Sequence, residues 1–122
     1  MADRSAVTIA ELTKYQTAGT VTADAVDVSN NHVIDITEIK DENLLIRLYG
    51  GSGGGFTATF KAGDYPAGAV GDLEVEVAST VTKIICLESA RFKDDDEYIL
   101  IDAALLTTAA ATAATIEAFS HA

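Results

Sequence analysis

The feature that most limits what this chain can fold into is alternation of apolar and polar residues, the period-two pattern of strands buried on one face. In Phe56-Thr57-Ala58-Thr59-Phe60-Lys61-Ala62, residues Phe56, Ala58, Phe60 and Ala62 share one face, and Thr57, Thr59 and Lys61 share the other. Leu73-Glu74-Val75-Glu76-Val77 repeats the pattern, with both glutamates expected in water. Leu44 to Tyr49 is more apolar and reads as a central strand. Val81 to Leu87 and Tyr98 to Ile101 read as well-buried strands, and Val33 to Ile36 and Val21 to Val28 carry the pattern less clearly.

Turn residues separate these runs. Ser29-Asn30-Asn31 suits a local turn that tolerates positive φ. Gly50-Gly51-Ser52-Gly53-Gly54-Gly55 reads as a flexible hairpin connection, Gly63 to Gly68 holds the only proline, Ala78-Ser79-Thr80 is a short turn, and Lys93-Asp94-Asp95-Asp96 is an acidic loop. Strands at this spacing predict an all-β, single-domain antiparallel β-sandwich or jelly roll, with a small barrel as the variant. The Ala/Thr-rich stretch Ala103 to Ala114 is expected to be extended, and Thr115 to Phe119 alternates like a strand. Residues 1–14 are read as an arm that orders on a partner, with Val7 to Leu12 a strand or short helix as the alternative. Residues 15–122 form the β domain, and no internal repeat or second domain is evident.

The length of 122 residues fits one domain, and 48% hydrophobic residues suffice for a core. No run approaches the ~20 apolar residues of a membrane-spanning helix, so no membrane association is expected. Met1 to Ser5 has no secretory-signal pattern, which points to synthesis and use in a cytosol. Cys86 is the only cysteine, and within Ile84-Ile85-Cys86-Leu87 it reads as a buried, inert thiol. Nineteen acids against eight bases give a net charge of −11. Arg4, Lys14, Lys40, Arg47, Lys61, Lys83, Arg91 and Lys93 are scattered rather than aligned, which argues against direct nucleic-acid binding.

Candidate chemistry is sparse. The Gly50–Gly55 run lacks the following helix and spaced lysine of a phosphate-binding loop. Asp94-Asp95-Asp96-Glu97 offers carboxylate oxygens to a hard cation, but lacks the alternating spacing of a calcium loop and reads as a solvated turn. Asp24 and Asp27 read as exposed acids. His32 is expected in a turn and His121 at the C-terminus, neither with a metal-ligating partner in spacing. A triad with Ser29 or Ser89 has no nucleophile-elbow motif behind it. Glu74 and Glu76, on one face of one strand, read as a charge row shielding a sheet edge, and Glu88 with Arg91 as a salt-bridged corner. No catalytic residue, cofactor or metal site is assigned, and no enzyme is expected.

One stretch is familiar. Gly71-Asp72-Leu73-Glu74-Val75-Glu76-Val77, Thr82-Lys83-Ile84-Ile85, Leu87-Glu88-Ser89-Ala90-Arg91-Phe92-Lys93 and Tyr98-Ile99-Leu100-Ile101-Asp102 resemble small head-associated structural proteins of tailed bacteriophages, including capsid decoration (cement) proteins. The likeness covers mainly residues 43–102, and Glu-Ser-Ala-Arg-Phe is its sharpest part. It implies a β-sandwich or jelly-roll body, set as a trimer on the exterior of the virion capsid, with the major capsid protein as partner and no cofactor. Two other roles stand beside it. One is a head–tail connector, tail-tube or fibre-attachment protein. The other is a small carbohydrate-binding β-sandwich. Of the dispersed Tyr15, Tyr49, Tyr65 and Tyr98, Tyr65 in the Asp-Tyr-Pro turn would be its best exposed platform, although packing over the turn is the simpler role for that ring.

Overall fold

The computed structural model describes residues 4–12, 23–36, 44–64, 66–87, 89–110 and 112–121. The fold is all-β. Its strands are β1 (Ser5–Ala6), β2 (Ile9–Leu12), β3 (Asp24–Ala25), β4 (His32–Asp35), β5 (Leu44–Tyr49), β6 (Phe56–Phe60), β7 (Leu73–Val77), β8 (Thr82–Cys86), β9 (Tyr98–Leu105) and β10 (Thr115–His121). They form two sheets in a sandwich-like arrangement. One sheet runs β1-β4-β9-β6-β7, and the other runs β2-β10-β5-β8 with β3 also on β10. A 3-10 segment at Pro66–Val70 and one helical turn, Ser89–Phe92, lie outside the sheets.

Alternation sets the inner faces. Phe56, Ala58 and Phe60 of β6, Ile99, Ile101 and Ala103 of β9, and Ile34 of β4 point inward from the first sheet. Leu44, Ile46 and Leu48 of β5, with Ile116 and Ala118 of β10, point inward from the second. The Phe60 ring meets Phe92 at a centroid distance of 6.0 Å, which seats the helical turn on the core. Burying a Leu, Ile or Phe side chain contributes about 1.5–3 kcal/mol, so these facing rows are the main source of stability. Ala62 was expected to extend the inner row of β6. It lies beyond the strand and is exposed, because Ala62 N–H donates to Asp72 and the chain turns there.

The expected antiparallel order holds for the body but not for the N-terminal strands. β1 pairs parallel with β4, and β2 pairs parallel with β10. A single short segment crosses from one sheet to the other between Ala6 and Ile9. Buried Val7 marks the crossing, and its N–H donates to Val33 O. Over residues 4–12 the stretch anticipated as an arm therefore lies along the edges of both sheets.

Gly50–Gly55 is not a hairpin: β5 and β6 belong to different sheets, so the run arches between layers. β8 is not well buried. It is the edge strand of its sheet, with Thr82, Lys83, Ile84 and Cys86 exposed. An apolar run is buried on both faces only when other layers cover both, and Thr82, Ile84 and Cys86 share the outer face of the sheet with Tyr49, Arg47 and Leu45. The Cys86 thiol is accordingly exposed rather than buried. The strand from Tyr98 continues to Leu105, and Thr115–His121 is a strand as its alternation predicts.

Candidate functional site

Four local constructions carry most of the polar chemistry among the described residues. The first fixes the N-terminal segment. Arg4 donates to the carbonyls of His32 and Ile101 and pairs with Asp102 at 2.9 Å. Asp27 accepts the Ser5 hydroxyl at 2.6 Å and the backbone N–H groups of Ser29 and Asn30 at 3.0 Å each. The Ser5 hydroxyl first, then the Asn30 N–H, hold the Asp27 carboxyl down at about 2. Asp24 accepts the N–H of Thr8 at 2.7 Å. Asp24 and Asp27 are therefore anchors rather than the exposed acids expected. The sequence signal for Asp27 is its position before Ser29-Asn30, since an aspartate can turn the chain by accepting N–H groups two and three residues on.

His32 is likewise not in a turn. It opens β4 fully buried, and its Nε2 accepts the Asp27 N–H at 2.9 Å. That bond places the ring proton on Nδ1, which is buried without a hydrogen-bond partner. Burial pushes the His32 pKa down, with the charge of Asp27 opposing it. Ser29 is exposed and points its N–H at Asp27, so His32 and Ser29 each use their contacts structurally. Asn31 takes φ of 64°, as the turn reading allowed, and its side chain accepts Ala103 N–H. The side chains of Ser89 and His121 are outside the described set.

The second construction is the glycine arch. The N–H groups of Gly50, Ser52 and Gly54 donate to the carbonyls of Val81, Thr112 and Ala110 at 2.8–2.9 Å. A phosphate-binding loop needs such N–H groups free to meet the anion, and here the chain itself takes them. A Cβ on Gly50 would sit 1.9 Å from Ala78 O, and one on Gly53 2.0 Å from Ala110 O. Glycine is thus required by close backbone approach, not by flexibility.

The third is a corner where distant segments meet. Arg91 Nε donates to Gly71 O at 3.0 Å and Nη2 to Asp72 O at 3.1 Å, while the guanidinium lies 4.8 Å from the Phe92 ring centroid. Asp72 accepts Ala62 N–H at 2.6 Å and Lys61 Nζ at 3.0 Å. These contacts, Ala62 N–H first, lower the Asp72 pKa, and Asp72 in turn raises that of Lys61. The anticipated Glu88 partner of Arg91 lies outside the described residues, as does Tyr65.

The fourth is the acidic turn. Asp94 Oδ1 accepts the N–H groups of Asp96 and Tyr98, and Asp64 accepts that of Asp95. Asp96, then Asp64, raise the Asp95 pKa by repulsion. The carboxylates of Asp94, Asp95 and Asp96 lie within 4.8 Å of one another. Asp95 and Asp96 are exposed, which fits the solvated-turn reading.

The outer faces of the two sheets differ in charge. The first displays Asp35, Asp102, Glu74 and Glu76 against Arg4 and Lys61, with Glu74 and Glu76 on the edge strand β7, where an edge-shielding row would sit. The second displays Leu45, Tyr49, Thr115, Phe119, Thr82, Ile84 and Cys86 around one ion pair, Arg47–Glu117. Glu117 is 8% exposed and Ile84 66%. Sequence alternation marked Leu45 and Ile84 as apolar, but only the pairing shows which face they occupy. Among the described residues, no helix is long and apolar enough to cross a membrane. Set against known proteins, the chain matches no protein-family model, no curated protein and no solved structure.

Proposed function

We propose that this protein is a virion structural component that binds the major capsid protein and stabilises the assembled head of a tailed bacteriophage from outside. The observation that carries the reading is the corner built by Arg91. Two blocks of the resemblance, Gly71-Asp72 and the sharper Ser89 to Phe92, are nearly twenty residues apart in sequence. They meet through the Arg91 hydrogen bonds to Gly71 and Asp72. Blocks distant in sequence that close on each other through these bonds behave as one structural unit, and that unit contains the residues on which the resemblance rests.

The physics of such a role is linkage. A protein that binds the assembled lattice and not the free subunit stabilises the lattice, and many copies on one shell add avidity. No cofactor or reaction enters this reading. The test is co-sedimentation of the purified protein with undecorated, expanded heads, with unexpanded proheads as control. Saturable binding to expanded heads with a raised head melting temperature supports the proposal, and the saturation ratio tests the trimer that the resemblance implies. No binding to either form overturns it.

A further inference from the structure

We propose that the free edge of β8 is a self-association site, through which two copies of this chain pair antiparallel about a two-fold axis at Ile84. The inference does not rest on the head-binding reading.

In the β5–β8 ladder, Gly50 N–H donates to Val81 O and Leu87 N–H donates to Leu44 O. Antiparallel ladders alternate, so Val81, Lys83, Ile85 and Leu87 turn their backbone groups toward β5. Thr82, Ile84 and Cys86 turn theirs away, toward the open edge. Among the described residues β8 ends the sheet order there, and Thr82 to Ile84 and Cys86 are exposed. Such an edge is a template for another strand.

The edge is complementary to itself. A two-fold axis at Ile84 sets Ile84 opposite Ile84 of the second copy, and Thr82 opposite its Cys86. All three outward-facing residues then sit in hydrogen-bonded positions. In the same register Lys83 faces Ile85 of the second copy, so the lysines are not directly opposed. The outer face also becomes continuous. Cross-strand rows on each copy already join Tyr49 to Thr82, Arg47 to Ile84 and Leu45 to Cys86. Pairing therefore covers Ile84, the most exposed isoleucine among the described residues, and links two apolar faces into one.

Charge distinguishes this edge from that of β7. Two copies of a chain with net charge −11 repel each other. β8 carries Lys83 and no carboxylate, and the adjacent Arg47 is already paired with Glu117. β7, an edge strand of the first sheet, carries Glu74 and Glu76, which would oppose their own copies. The contact is isologous and closes as a pair. A trimer would have to use another surface.

The experiment is sedimentation equilibrium of the full chain under reducing conditions, wild type beside Ile84→Lys and Cys86→Ser, with residue-level amide exchange over a concentration series. Wild type and Cys86→Ser should dimerise. Ile84→Lys should weaken association on the order of tenfold or more, while its monomer melts with wild type because Ile84 is already in water. The amides of Thr82, Ile84 and Cys86 should gain protection with concentration, whereas those of Lys83 and Ile85 stay protected throughout. A monomer at every concentration overturns the proposal. So does any oligomer, trimer included, in which the Thr82, Ile84 and Cys86 amides exchange at a concentration-independent rate. Either outcome leaves co-sedimentation with heads to be decided separately.

Discussion

Replacing Gly50 with alanine tests whether the glycine arch is a packed joint between the sheets or a slack connection, because the two predict opposite signs. The added Cβ would lie 1.9 Å from Ala78 O, 2.7 Å from Ala78 C and 3.1 Å from Val77 O. All three atoms are backbone, so no side chain can swing aside. Restoring ordinary contact, about 3.5 Å, needs the arch and the Ala78–Thr80 turn to part by about 1.5 Å. Two hydrogen bonds span that gap, Gly50 N–H to Val81 O at 2.9 Å and Thr80 N–H to Gly51 O at 2.7 Å. Overpacking costs about 1–3 kcal/mol, and each strained bond forfeits up to about 0.5–1.5 kcal/mol. We expect Gly50→Ala to destabilise by about 3 kcal/mol. In a slack loop the same change would stabilise by about 0.4–1 kcal/mol, by restricting the unfolded chain.

Urea unfolding of both proteins, read as the midpoint shift at unchanged m-value, decides the sign. Gly71→Ala separates the two reasons a glycine can be needed. Gly71 has φ of +97° but nothing within 4 Å of its added Cβ. Its substitution should cost only the left-handed backbone penalty, about 1–2 kcal/mol. A Gly50→Ala protein as stable as wild type, or more stable, would refute the packed-joint reasoning.

Other consequences are as direct. Phe60→Ala removes a fully buried ring that touches Phe92, and should lower unfolding free energy by about 3–5 kcal/mol in the same assay. Arg91→Lys cannot reproduce both bonds to Gly71 and Asp72, so a loss of about 1–2 kcal/mol is expected; an unchanged urea midpoint would remove the corner as a structural unit. His32 sits below its ordinary pKa of 6.5, so the unfolded chain takes up a proton that the folded chain resists. Stability measured against pH should therefore fall as pH drops from 6.5 toward the folded value, and His32→Gln should abolish that slope. The Asp27 contribution lies in a separate window, complete above 3.8 and lost as pH falls through about 2.

Much of the fold is legible in the residues because alternation is a local property. Phe56, Ala58 and Phe60 must share a face whatever they pair with, and the same holds for Leu44, Ile46 and Leu48. The strands, their inner faces and an all-β class follow from that alone. The pairing of strands is not local. β5 and β6 are separated by six residues, rich in glycine, that suit a hairpin, yet they join different sheets, and only the contacts with Ala78, Ala110 and Thr112 reveal why glycine is needed there. Val81 to Leu87 is apolar enough for a well-buried strand, but its place at the edge, with Ile84 and Cys86 on the outer face, leaves those two in water. The anchors Asp24, Asp27 and Arg4 act across 16, 22 and 97 residues of sequence. Periodicity reports which side of a strand is apolar; the tertiary structure decides what covers each side, since coverage depends on which strands lie adjacent.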